Sequence, residues 1–192
     1  MKSLLSWALA FVMLVLVLPM SWAEEPGLRL PSVFSDHMVL QRDTEIPVWG
    51  KGEAGKKVTV SLGEEAKTAE VDASGSWRVH LGSRGAGGPY TLKVSQGDES
   101  VEYSDVMVGE VWVCSGQSNM EWYVSWAANA EEEIANADYP NIRLFHVPHN
   151  VSLEPLWDVE AKWKRCGPET IPSFSAVGYY FGRELHKDLN IP

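Results

Sequence analysis

The segment Ser115-Gly116-Gln117-Ser118-Asn119-Met120 holds the side chains best suited to chemistry. A serine hydroxyl becomes a nucleophile when a base takes its proton. Ser118 follows an apolar run, 106–114, and precedes residues that can start a helix. A serine at a strand-to-helix turn sits at the carboxyl edge of a sheet, where open α/β folds bind ligands, and near backbone N–H groups able to hold an oxyanion. Gly116 lets such a turn tighten and lets a substrate approach the backbone. Gln117 and Asn119 carry amides that either orient an acyl group or stabilise the turn. A serine in this position also serves simply as a helix N-cap. The turn is not the nucleophile elbow of α/β-hydrolases, because Met120 stands where G-x-S-x-G requires glycine.

Two kinds of text flank this segment. From Leu28 to about Ser104 the chain is short apolar runs broken by turn residues. Val58, Val60 and Leu62 alternate with Thr59 and Ser61, and the same alternation recurs at Trp77/Val79 and at Leu92/Val94, as in strands with one buried face. Glu53-Ala54-Gly55, Gly63-Glu64-Glu65, Asp72-Ala73-Ser74-Gly75 and Gly97-Asp98 supply the turns at the spacing of a β-sandwich. After Asp105 the pattern changes. The run 106–114 is apolar on both faces except at Glu110, which predicts a central strand of a parallel sheet and a boundary near residue 105 between a β domain and an α/β domain. Residues 127–135 read as a helix, 142–147 as a strand, and 174–189 as an amphipathic helix with Phe174, Val177, Phe181, Leu185 and Leu189 on one face.

The first residues read as a secretory signal peptide, 1–23. Lys2 precedes an apolar stretch, and Ser21-Trp22-Ala23 supplies the small residues that a signal peptidase recognises. The apolar stretch, about 15 residues, falls short of the ~20 needed to span a bilayer, so no stable membrane insertion is expected after cleavage. The expected location is secreted or periplasmic. A net charge of −10 and the absence of any basic run exclude nucleic acid as a partner. The 45% apolar content, with every Trp but Trp7 and Trp22 beyond the leader, indicates an ordered chain. Two cysteines, Cys114 and Cys166, leave either one bridge or two thiols open, and no histidine spacing beside them completes a zinc site.

The block Gly109-Glu110-Val111-Trp112-Val113-Cys114-Ser115-Gly116-Gln117-Ser118-Asn119-Met120-Glu121 resembles the first signature block of the sialate O-acetylesterase family. The likeness extends upstream through Val33-Phe34-Ser35-Asp36-His37-Met38-Val39-Leu40-Gln41-Arg42 and Pro47-Val48-Trp49-Gly50. Downstream it takes in Phe174-Ser175-Ala176-Val177-Gly178-Tyr179-Tyr180-Phe181-Gly182-Arg183-Glu184-Leu185. The resemblance implies a β-sandwich-like domain, 24–105, followed by the first part of a flavodoxin-like SGNH-hydrolase domain, 106–192. It further implies a metal-free, cofactor-free esterase that removes O-acetyl groups from a sugar or polysaccharide.

In that family a serine matching Ser118 attacks the acetyl carbonyl, a histidine relays the proton, an aspartate orients the histidine, and water clears the acyl-enzyme. The serine N–H, a glycine N–H and an asparagine from later blocks hold the oxyanion. Those later blocks, with the terminal aspartate-histidine pair, have no match in this chain. None of His37, His80, His146, His149 and His186 is assigned as the base, and the chain is expected to be an inactive fragment. The competing expectation is an exported glycan-binding module without catalysis. Glu110 reads either as a strand-end carboxylate satisfied by backbone or as a buried hydrogen-bonding carboxylate near the site, Trp122 and Trp126 as core or as sugar-stacking rings, and Asn150-Val151-Ser152 as a glycosylation sequon that has meaning only in a glycosylating host.

Overall fold

The computed structural model describes residues 27–192; the leader assigned to 1–23 lies outside them. The chain is a mixed α/β structure. A five-stranded sheet has the order β1 (Val39–Gln41), β7 (Glu99–Gly109), β6 (Gly87–Gln96), β3 (Lys57–Leu62), β4 (Glu65–Glu70), and a second sheet pairs β2 (Ile46–Lys51) with β5 (Ser76–Leu81). The β1–β7 pair is parallel, with Leu40 opposite Val108, and every other pair in these two sheets is antiparallel.

The alternation read from the sequence decides which faces meet. Val58, Val60 and Leu62 of β3 lie inward with Leu92 and Val94 of β6 and Val106 and Val108 of β7, while β2 and β5 add Val48, Trp77, Val79 and Leu81 to the same core. β4 carries no buried side chain and closes the edge with Glu65, Lys67 and Glu70, charges that discourage pairing with another chain. The hairpin turn at Gly63 has φ of 60°, a left-handed conformation that glycine adopts without steric cost.

The second part of the chain is sparser. α1 (Ala130–Ala135), a hairpin of β8 (Tyr139–Phe145) and β9 (Trp163–Cys166), and α2 (Ala176–Leu189) surround a smaller core of Val124, Ala137, Leu144, Cys166, Ile171, Ala176 and Tyr179. The strand expected at 142–147 is β8, and its partner β9 runs antiparallel. Ser175 caps α2, its Oγ accepting from the Gly178 N–H at 3.2 Å.

The central strand expected at 106–114 is not one element. β7 ends at Gly109, where its last partners, Gln41 of β1 and Gly87 of β6, also end. Val106, Met107 and Val108 are buried and finish the five-stranded sheet, whereas 111–116 belongs to no strand, with Val113 89% exposed. An apolar run without alternation states that both faces can be buried. It does not say that one sheet buries the whole run, and here the first half belongs to the β core while the second half lines a cavity.

A clasp joins the two parts. Asp105, at φ 54°, accepts from Arg143 Nη1 at 2.7 Å, from Arg165 Nε at 2.8 Å and from His37 Nδ1 at 2.6 Å. The Arg143 side chain is only 2% exposed and also donates to the carbonyls of His37, Asp105 and Pro140. Burial alone would raise the Asp105 carboxyl; the hydrogen bonds from Arg165, Arg143 and His37 outweigh it and hold the group well below the usual carboxylate range.

Candidate active site

The turn that carries Ser118 is built by backbone hydrogen bonds. Met120 N–H donates to the Gln117 carbonyl at 2.9 Å, and Trp122 N–H to the Asn119 carbonyl at 3.4 Å. Gln117 and Asn119 therefore shape the turn through their main chains. Ser118 is exposed, and its hydroxyl has no hydrogen-bond partner among the described residues. The turn does not lead straight into an α-helix. A short 3-10 turn at Val124–Trp126 intervenes and α1 begins only at Ala130, so no helix N-terminus is built directly onto Ser118.

Position comes from α2 on one side and from β1 and β7 on the other. The Ser175 hydroxyl that caps α2 donates to the Met120 Sδ at 3.4 Å. Trp112 meets Phe181 of α2 edge-to-face at 5.2 Å. The helix passes close at Gly178, where a Cβ would stand in ordinary contact, 3.6 Å from Cys114 Cβ and 3.4 Å from the Phe174 ring. At the other end, Val111 N–H donates to Gln41 Oε1 at 2.9 Å, and Glu110 accepts from Arg42 Nε at 2.7 Å. Glu110 is thus paired with a side chain of the β part.

Gly116, Gln117 and Ser118 open onto a cavity of about 950 Å³. Asn119 lies outside its lining. The walls come from 110–116, from the β8 residues Ile142 to Phe145, and from one face of α2. Three histidines, His146, His149 and His186, line the same cavity, a convergence that no spacing rule reveals because they lie on a strand end, a loop and a helix. His186 Nδ1 donates to the Ile191 carbonyl at 2.6 Å, which leaves Nε2 as its acceptor nitrogen. His149 Nδ1 stands 3.8 Å from Glu121 Oε1. His37 and His80 belong to the β part and take no share in the cavity.

Cys114 and Cys166 are separate thiols. Cys114 is exposed beside the cavity, and Cys166 is buried in the second core, where burial and then the Asp138 carboxylate push its thiol up to about 12. Among the described residues no three His, Cys, Asp or Glu side chains gather as a metal-binding set.

No family model matches the chain. It is 35% identical to human sialate O-acetylesterase (Homo sapiens) over 94% of its own length, and 32% identical to the mouse enzyme (Mus musculus) over the same share. This chain is a homologue of the sialate O-acetylesterases. It spans 39% of the human relative and 37% of the mouse one. The crystal structure of a carbohydrate acetylesterase from Xanthomonas citri superposes with a TM-score of 0.84 at 37% identity, covering 86% of this chain and 38% of that one. The fold over that shared stretch is therefore that of an acetylesterase's own segment, and the Ser118 turn belongs to a sialate O-acetylesterase homologue. Among the described residues no helix is long and apolar enough to cross a membrane.

Proposed function

We propose that the chain supplies the nucleophile-bearing part of an exported carbohydrate O-acetylesterase of the SGNH type, and that Ser118 is the nucleophile. The observation that carries this reading is an unpartnered serine hydroxyl on a short turn at the mouth of a large cavity, in a homologue of acetylesterases. The architecture in this reading is a β-sandwich-like domain built on the first core, followed by the opening part of a flavodoxin-like domain.

Ser118 Oγ attacks the acetyl carbonyl carbon, the sugar oxygen leaves with the proton taken from the serine, and water then releases acetate from the acyl-enzyme. In this reading the Ser118 N–H serves as one oxyanion donor, with Gly116 allowing the carbonyl to approach the main chain. Among the described residues no histidine is hydrogen-bonded to Ser118, and the reading assigns neither the base nor its orienting aspartate to a residue of this chain. Loss of a triad member costs on the order of 10⁴ to 10⁶ in kcat, so turnover in this reading depends on a base brought to Ser118.

Labelling with a fluorophosphonate probe tests the assignment, because only a serine activated by a base reacts rapidly. The intact protein should be labelled and should release acetate from an acetylated sugar, and Ser118→Ala should do neither. Equal labelling of both proteins would remove Ser118 from the role, and sugar binding without any labelling would favour a binding module.

A further inference from the structure

The serine turn ends on a residue that the reaction does not use. A nucleophile elbow closes with glycine two residues after its serine, and here that place holds Met120. The methionine folds back over the turn. Its N–H donates to the Gln117 carbonyl at 2.9 Å, and a Cβ on Gly116 would stand in ordinary contact, 3.5 Å from Met120 Cβ. Met120 is partly buried and lines the same cavity as Ser118.

The thioether ends against the start of α2. Ser175 Oγ accepts from the Gly178 N–H at 3.2 Å and has one proton of its own, which it gives to Met120 Sδ at 3.4 Å. Both roles of the hydroxyl are therefore filled, one by the helix and one by the turn. Ser175 is itself fixed, because the chain on either side of it is tied to the chain that follows Met120. Val124 N–H donates to the Phe174 carbonyl at 3.0 Å and Ala176 N–H to the Trp122 carbonyl at 2.7 Å, an antiparallel bridge that sets Ser175 opposite Tyr123. Val124 is fully buried and Ala176 nearly so, which makes the bridge part of the second core.

Ser118 lies between Gly116 and this anchored methionine, so where Met120 is held decides where the hydroxyl stands. The next helix along the chain, α1, begins only at Ala130, and α2 supports the turn through a side chain instead. Methionine suits the place, because its unbranched, polarizable side chain fills irregular gaps and its sulfur accepts a hydrogen bond. The energy of that contact is small. Its effect on the reaction is larger, since misplacing a reacting atom by about 1 Å can cost about 10²-fold in rate.

We infer that Met120 and Ser175 are positioning residues for the Ser118 nucleophile: the Ser175 hydroxyl holds the Met120 thioether, and the methionine holds the turn that presents Ser118 to the cavity. The inference rests on the reading of Ser118 as nucleophile, and every contact it uses is one that the chain makes with itself.

Two variants of the intact protein separate holding the turn from capping the helix. Met120→Leu keeps the bulk and leaves the cap alone, but offers the Ser175 hydroxyl no acceptor. Ser175→Asp keeps a good cap, yet its ionised carboxylate has no proton to give. Each should melt close to the wild-type temperature and react with a fluorophosphonate probe about fivefold more slowly, the worth of one hydrogen bond. With 4-nitrophenyl acetate the loss should fall on the acylation rate at saturating ester, and the half-saturating concentration should change less than about twofold. The double variant should be no slower than the slower single one, because both substitutions remove the same contact.

Wild-type labelling and acylation rates in both single variants, losses that multiply in the double variant, or a loss matched by a fall in melting temperature would overturn the inference with Ser118 still active. A wild-type protein that neither labels nor acylates would sink the reading of Ser118 instead. Amide hydrogen exchange over 117–122 then decides the anchor. Exchange should quicken there in Met120→Leu while α2 keeps its protection, and unchanged exchange would overturn the anchor.

Discussion

The β part and the cavity part of this chain contain similar kinds of apolar residue and use them in opposite ways. In the first, Val58, Val60, Leu62, Leu92, Val94, Val106 and Val108 have no exposed surface, and two sheets close over them. In the second, Tyr179 and Ile171 head a small core while Trp112, Val113, Trp122, Trp126, Val151 and Leu153 face outward. Hydrophobic burial contributes roughly 25 cal/mol per Å² only where area leaves water. The stability of the chain therefore resides mainly in the β part, and the part that carries Ser118 has its apolar surface available for contact with other groups. The lesson is that an apolar pattern measures what a segment can bury, and the neighbours present decide whether it does.

The clasp is where this division is most sharply tested, because it fixes the open part to the closed one. Asp105→Asn keeps a side chain that tolerates the left-handed backbone but removes the charge facing the buried Arg143. It should cost about 3–5 kcal/mol in denaturant unfolding, the range for leaving one partner of a buried ion pair alone. Because the folded carboxyl lies below its unfolded value of about 3.9, its contribution is fully present above that pH. The gap between wild type and Asp105→Asn should thus shrink as the pH falls below about 4. A gap that grew over that acid range would contradict the charge assignment.

A smaller effect is expected at Ser175→Ala, which removes the α2 cap and the hydroxyl bonded to Met120. Loss of about 1 kcal/mol in the same measurement is expected, and no loss would mean that α2 is held from the Trp112–Phe181 side alone. The smallest is Trp112→Ser on the exposed wall, which should change stability by about 0.5 kcal/mol or less. A cost as large as that of a core truncation would erase the contrast between the two parts.

Much of the fold was legible because it follows from local pattern. The alternation at Val58/Val60/Leu62, Trp77/Val79 and Leu92/Val94 marks β3, β5 and β6, and the i, i+3, i+4 spacing from Phe174 marks α2, whose helix begins at Ala176 after the Ser175 cap. β4 was not legible: Glu65-Ala66-Lys67-Thr68-Ala69-Glu70 buries nothing and is a strand only because β3 offers it hydrogen bonds. The division of 106–114 was hidden for the reason that a two-faced apolar run has no internal mark of where its partners stop. At the site, the exposed turn at Ser118 follows from residues adjacent in sequence. The gathering of His146, His149 and His186, the pairing of Glu110 with Arg42 and the Asp105–Arg143 clasp join residues far apart in the chain, where no spacing rule reaches.

The Arg143 guanidinium has consequences for how a guest would be received. With its donors committed to three carbonyls and a carboxylate, it leaves β8 no slack against the β core. That side of the chamber is a fixed template rather than a jaw, so whatever enters must match its contour on arrival, and any adjustment during binding falls to the opposite side.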